Sequence, residues 1–176
     1  MKKLGIIALT MAVGSGMAFA ASLSVPWFVD NAPVANGIPG KSKGVTGIVT
    51  LKSNRTDTVT ASIAYFAADG TSLGPSASEG NTFTIAPLSA LAFRPVAFDP
   101  ATEPGGQEEA QGLAVPDRPQ VPDQSGKIGK NGSITIEWAG DPTDIQGQVS
   151  YFQTTADPNT GAPLTFSYSH LLPPGL

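Results

Sequence analysis

Residues 58–74 read TVTASIAYFAADGTSLG. Val59, Ala61, Ile63 and Tyr65 alternate with smaller or more polar residues, a period of two that predicts a strand with one buried face. Asp69-Gly70 then marks a tight turn, because glycine accepts a positive φ without steric cost, and Thr71–Gly74 begins the return. Immediately upstream, residues 45–53 read VTGIVTLKS, with Val45, Gly47, Val49 and Leu51 on one face, and the polar run NRTD at 54–57 joins the two segments. Strand, polar turn, strand and hairpin in close succession predict an antiparallel β-protein.

The same period recurs along the chain. In SLSVPWFV, residues 22–29, Leu23, Val25, Trp27 and Val29 are assigned to one face and Ser22, Ser24, Pro26 and Phe28 to the other. Pro26 has no N–H to donate, so this strand belongs at a sheet edge or contains a break. NTFTIA at 81–86 turns Phe83 and Ile85 inward, and SALAFRPVAF at 89–98 sets Leu91 and Phe93 against Ala90, Ala92 and Arg94. Three further strands are expected in GSITIEWAG (132–140), QGQVSYFQT (146–154) and PLTFSYSHLL (163–172), the last two joined by a hairpin loop. No segment sustains a 3.6-residue period. Eight or nine strands without helices predict an antiparallel β-sandwich, immunoglobulin-like or jelly-roll-like.

The run VTLKSNRTDTVTASIAYFAADGTSLG, Val49 to Gly74, resembles bacterial immunoglobulin-like and pilus-chaperone-like domains in pattern. The likeness consists of a strand, an Asn-containing turn, a second strand with paired aromatics and an Asp-Gly hairpin. It implies a fold type and no activity.

Residues 1–20, MKKLGIIALTMAVGSGMAFA, have the form of a bacterial secretory leader. Lys2 and Lys3 precede an apolar run, and Ala18-Phe19-Ala20 is a small-x-small cleavage site. Cleavage is expected to leave a single domain, residues 21–176, with no transmembrane segment. Its expected location is secreted: extracellular, at the cell surface or periplasmic.

The chain has no cysteine, which excludes thiol catalysis, Cys-ligated zinc and iron–sulfur clusters. Its formal charge is −4, and loss of Lys2 and Lys3 makes it more negative. With no basic cluster beyond the leader, phosphate backbones are repelled and nucleic-acid binding is not expected.

One segment interrupts the pattern, an insertion at 99–132 rich in Pro, Gly and acid. A stretch this long without strand periodicity reads as a solvated loop, or as a lid anchored by Leu113, Ala114 and Val115. Asp99, Glu103, Glu108, Glu109, Asp117 and Asp123 offer hard oxygen ligands to Ca²⁺, although their spacing matches no recognised calcium loop.

Catalysis would need convergent groups of matched proton affinity. His170 is the sole histidine. Ser167 and Ser169 lie close by, but no Gly-x-Ser-x-Gly elbow is present. Asp141 and Asp144 in GDPTDIQG have the form of turn residues. No enzymatic activity is expected.

These readings converge on a secreted structural or adhesive β-domain: a surface, matrix or filament subunit. Its partner would be a second copy of itself or another envelope or extracellular protein. The strand bearing Leu23, Val25, Trp27 and Val29 either opens its own sheet or is donated to a neighbour. A carbohydrate- or protein-binding module is the alternative, with Trp27, Trp138, Tyr65, Tyr151 and Tyr168 as stacking candidates.

Overall fold

The computed structural model describes residues 20–32, 44–95, 115–122 and 128–173. Nine strands among them form two antiparallel sheets packed face to face as a β-sandwich. They are β1 (Ala20–Val29), β2 (Gly44–Ser53), β3 (Val59–Ala67), β4 (Ser72–Gly74), β5 (Thr82–Ile85), β6 (Ala90–Phe93), β7 (Asn131–Ala139), β8 (Ile145–Ala156) and β9 (Pro163–Leu172). Residues 1–19 of the leader and the 96–98 end of the sixth expected strand lie outside the described residues. The cut expected after Ala20 falls at the first residue of β1.

The first sheet runs β1–β7–β3–β4, with β5 also on β3; the second runs β6–β2–β8–β9. β4 and β5 share the outer edge of β3 end to end, at Tyr65–Phe66 and at Val59–Ser62. β3–β4 and β8–β9 are hairpins, whereas β1→β2, β2→β3, β5→β6, β6→β7 and β7→β8 cross between sheets. Gly70, at φ 85°, makes the first hairpin turn. In the second, Asp157 Oδ1 accepts the N–H groups of Asn159 and Thr160.

Alternation carries the inner residues of each strand into one core. Leu23, Val25, Ile63, Tyr65, Ile134 and Ile136 from the first sheet meet Val49, Leu51, Phe93, Ile145, Val149 and Tyr151 from the second. β7 is central to its sheet, paired with β1 on one side and β3 on the other. At Gly132 on β7 an added Cβ would lie 2.0 Å from the Phe66 carbonyl oxygen and 3.2 Å from the Phe28 ring, so backbone and aromatic close over a position that only glycine fits.

The insertion at 99–132 returns to the sandwich before β7. Val115 is buried in the core, and the buried Arg118 sets its guanidinium 5.8 Å from the centre of the Phe28 ring. Arg118 also donates to the Gly129 carbonyl. Leu113 and Ala114 lie outside the described residues.

A buried ion pair clamps this end of the molecule. Arg94, just past β6, donates from Nε and Nη2 to the Asp30 carboxylate at 2.9 and 2.6 Å; Asp30 follows β1, in the opposite sheet. The Gly47 N–H of β2 donates to the same carboxylate. Arg94, assigned by sequence to the solvent side of its strand, is therefore buried, because the chain leaves the strand after Phe93 and turns the side chain inward.

Two stability predictions follow from these contacts. Arg94→Met leaves the Asp30 charge buried without its partner and should cost about 3–5 kcal/mol, most of it recovered by the double variant Asp30→Leu/Arg94→Met. Gly132→Ala forces the strands apart and should cost about 3 kcal/mol, the upper end of overpacking penalties. Urea unfolding of each purified variant measures both.

Candidate functional site

The inner–outer alternation that builds the core fails at β9. Its register with β8 is unbroken from Gly147↔Leu172 to Ala156↔Pro163, and Tyr168 sits opposite the buried Tyr151. Leu164, Phe166, Tyr168, His170 and Leu172 therefore point to the side of the first sheet. Only Leu172 is buried; the other nine residues of the strand are exposed.

The cause is an overhang. The nearest strand of the first sheet is β1, which crosses over β2, β8 and one end of β9. At that end the sheets close: an added Cβ at Gly147 would touch both Leu23 and Leu172. A cavity of about 250 Å³ lies there, lined in part by Leu23, Ile145, Leu171 and Leu172. Toward Pro163 nothing described covers β9, and Phe166 and Tyr168 each remain 60% exposed. Leu171, on the opposite face, is also exposed.

Aromatic contacts tie the overhang to β8. Tyr168 stacks on Tyr151, with ring centres 4.8 Å apart and planes 26° apart, and the His170 ring centre lies 6.1 Å from that of Tyr151. The Tyr151 hydroxyl donates to the Trp27 carbonyl and so ties β8 to β1. Burial, then the neighbouring Tyr168, push the Tyr151 hydroxyl up to about 12, so it remains a hydrogen-bond donor at physiological pH.

β1, the strand considered for donation, is seated in the chain's own first sheet against β7. Leu23 and Val25 are buried, as their period implies. The register then shifts between Val25 and Phe28, at Pro26. The extra residue reverses the face: Phe28 becomes fully buried and Trp27 turns outward, 48% exposed, while Val29 is half-buried. The assignment of Trp27 to the core face and Phe28 to the solvent face is thus corrected, because a β-bulge resets alternation. Among the other stacking candidates, Tyr65, Tyr151 and Trp138 are buried, whereas Tyr168 is exposed on the same open side as the Trp27 backbone.

Of the calcium candidates, Asp117 is exposed. Asp99, Glu103, Glu108, Glu109 and Asp123 lie outside the described residues. Among the described residues no three His, Asp or Glu side chains gather in a metal-binding group. Strand alternation sends Ser167 and Ser169 to the opposite face from His170, so these three do not converge. Asp141 accepts the N–H and hydroxyl of Thr143, and Asp144 accepts the Asp141 N–H and pairs with Arg55 at 3.3 Å. These carboxylates organise the β7–β8 turn.

The sequence marks 163–172 as a strand and Tyr168 as a stacking candidate, but not the open face of β9. A signal was present nonetheless: residues 163–172 carry no Asp, Glu, Lys or Arg, the residues that commonly guard an edge. No helix among the described residues is long and apolar enough to cross a membrane. No family model, curated protein or solved structure matches the chain.

Acid should loosen the turns at the ends of the sandwich. Asp57 is held below the usual carboxylate range by Arg55, Glu79 by the N–H and hydroxyl of Ser76, Asp141 by the N–H and hydroxyl of Thr143, and Asp157 by the N–H groups of Asn159 and Thr160. A carboxyl whose folded pKa is lowered adds stability that is present above its unfolded value, about 4, and lost as pH falls through the folded value. Asp30 acts oppositely, since burial pushes it up against Arg94 and the Gly47 N–H; its share is present at low pH and lost as pH rises through its folded value. The four lowered carboxyls should make the melting temperature fall below about pH 4, whereas the raised Asp30 acts above that, as pH rises toward its folded value. Asp141→Asn/Asp157→Asn, which keeps the acceptor oxygens, should flatten that limb in calorimetry.

Proposed function

We propose that this chain is an exported, non-enzymatic structural or adhesive β-domain, a surface, matrix or filament subunit, that assembles through the edge strand β9. The observation that carries the reading is the ten-residue edge with Leu164, Phe166, Tyr168 and Leu171 left in solvent. Edge strands present unpaired N–H and C=O groups, and proteins that are not meant to associate blunt them. Burying those apolar residues while adding a strand to the sheet gives both a hydrophobic and a hydrogen-bonding drive for association. The export half of the reading rests on the leader pattern at 1–20. It predicts that the chain recovered from the periplasm or medium of an expressing bacterium starts at Ala21.

Two features of the strands favour β9 over β1 as that edge. The N-terminal strand pairs with β7, and its free edge carries Pro26 and a bulge, both of which discourage further pairing. β9 has neither.

A second reading, a carbohydrate-binding module, draws on Trp27 and Tyr168, two exposed aromatics of the kind that stack on sugar rings. One pair of assays separates the two. Sedimentation velocity over a wide range of concentration should show self-association that Phe166→Lys abolishes, with the unfolding free energy changed by no more than about 0.5 kcal/mol, as for an ordinary surface substitution. Monomer at every concentration, together with retention on an insoluble polysaccharide that Trp27→Ala removes, would replace assembly with sugar binding.

A further inference from the structure

The four sheet margins of the sandwich differ in one respect. β1 is interrupted by Pro26 and its bulge, β4 has three residues, and β5 and β6 have four each. These are the ordinary devices that keep an edge from pairing: proline, bulge and shortness. β9 has ten residues, an unbroken register and no charged Asp, Glu, Lys or Arg side chain. One long edge is left open while every other is protected.

Resting on the reading of β9 as the assembly edge, we infer that its partner is β9 of a second copy, paired antiparallel about a two-fold axis at Ser167. The sequence of the strand is self-complementary about that residue. In an antiparallel pair, directly opposed side chains share a face. With Ser167 opposite Ser167 of the second copy, Phe166 meets Tyr168 of the second copy, and Tyr168 meets its Phe166. On the same face Leu164 meets His170, and on the other Thr165 meets Ser169. Aromatics oppose aromatics and hydroxyls oppose hydroxyls, twice each, as an isologous interface requires. No like charges are brought together. Centring the axis on Tyr168 instead keeps Ser167 against Ser169 and Tyr168 against itself, but it sets polar Thr165 against apolar Leu171, parts Phe166 from Tyr168 and requires Leu172, which is buried against Leu23, to face Leu164 of the second copy.

The overhang provides the room. Because β1 stops short of β9, two copies can approach edge to edge without their first sheets colliding. The second sheets then join as one eight-stranded sheet, β6–β2–β8–β9 followed by its two-fold image. The exposed inner faces of both β9 strands line a shared trough, with the β1 edge of each copy along its sides. Pairing of β9 with β1 of another copy, which would propagate a filament, meets Pro26 and the bulge.

The full-length chain contains no cysteine, so single introduced thiols report the register directly. Opposed residues in an antiparallel pair have Cα atoms about 4.5–5.5 Å apart, within disulfide range. Under mild oxidation Ser167→Cys should become a covalent dimer. Thr165→Cys and Ser169→Cys should each do so at least about tenfold more slowly alone, yet cross-link efficiently when mixed with each other. Ser167→Lys should be a folded monomer, and mixing it with Ser167→Glu should restore a dimer, since only a two-fold at this residue puts the two side chains together. Equal cross-linking of all three single thiols, or no rescue on mixing, overturns the inference. If association persists and Phe166→Lys still abolishes it, the edge remains the assembly surface and only the two-fold partner fails. If the parent chain is monomeric throughout, both fail.

Discussion

A salt bridge that belongs to neither sheet holds the sandwich together at one end. Asp30 leaves β1 of the first sheet, Arg94 leaves β6 of the second, and Gly47 of β2 completes the carboxylate's hydrogen bonding. With both side chains excluded from water, each charge requires the other, so the two sheets cannot slide without exposing an unpaired buried ion. The bulge in β1 belongs to the same constraint. It lies just before Asp30, turns Phe28 into the core and seats it beneath the Arg118 guanidinium. Loss of regular pairing at Pro26 is the structural consequence of aiming Phe28 and Asp30 inward.

The β9 margin follows a different logic. The Tyr151 hydroxyl on the Trp27 carbonyl ties the sheets beside the clamp, where Tyr151 pairs with Gly47, and Leu23 meets Leu172 farther along β9. The first sheet ends with β1, and the second continues for one more strand. Residues that alternation would bury in a matched sandwich are consequently left uncovered on β9. The same side chains that stack on Tyr151 to stiffen the strand, Tyr168 and His170, form part of the surface it presents. A strand already paired in a sheet loses less conformational freedom on gaining a neighbour than a mobile arm of the same composition would.

Much of the architecture was legible in the residues. Period-two alternation located the strands because a half-buried strand must sort its side chains by polarity, and Asp69-Gly70 and the 157–161 turn followed from backbone chemistry local to those residues. Alternation also named most of the core correctly, from Leu23 and Val25 through Ile63 and Tyr65 to Leu91 and Phe93. It failed where the chain departs from a uniform pleat: at Trp27 and Phe28, which the bulge exchanged, and at Arg94, which lies past the end of its strand. Each depends on a register shift or strand end set by the neighbouring strand.

The sequence by itself determined a β-sandwich, its strand order along the chain and the uncharged character of residues 163–172. Only the tertiary structure decided that β1 occupies its own sheet, that Asp30 and Arg94 meet across the sheets, and that Phe166 and Tyr168 are exposed. The physical reason is that alternation specifies two faces of a strand but not what lies over either. Covering β9 depends on how many strands the opposite sheet has and where it ends, a property of long-range pairing that no local pattern encodes.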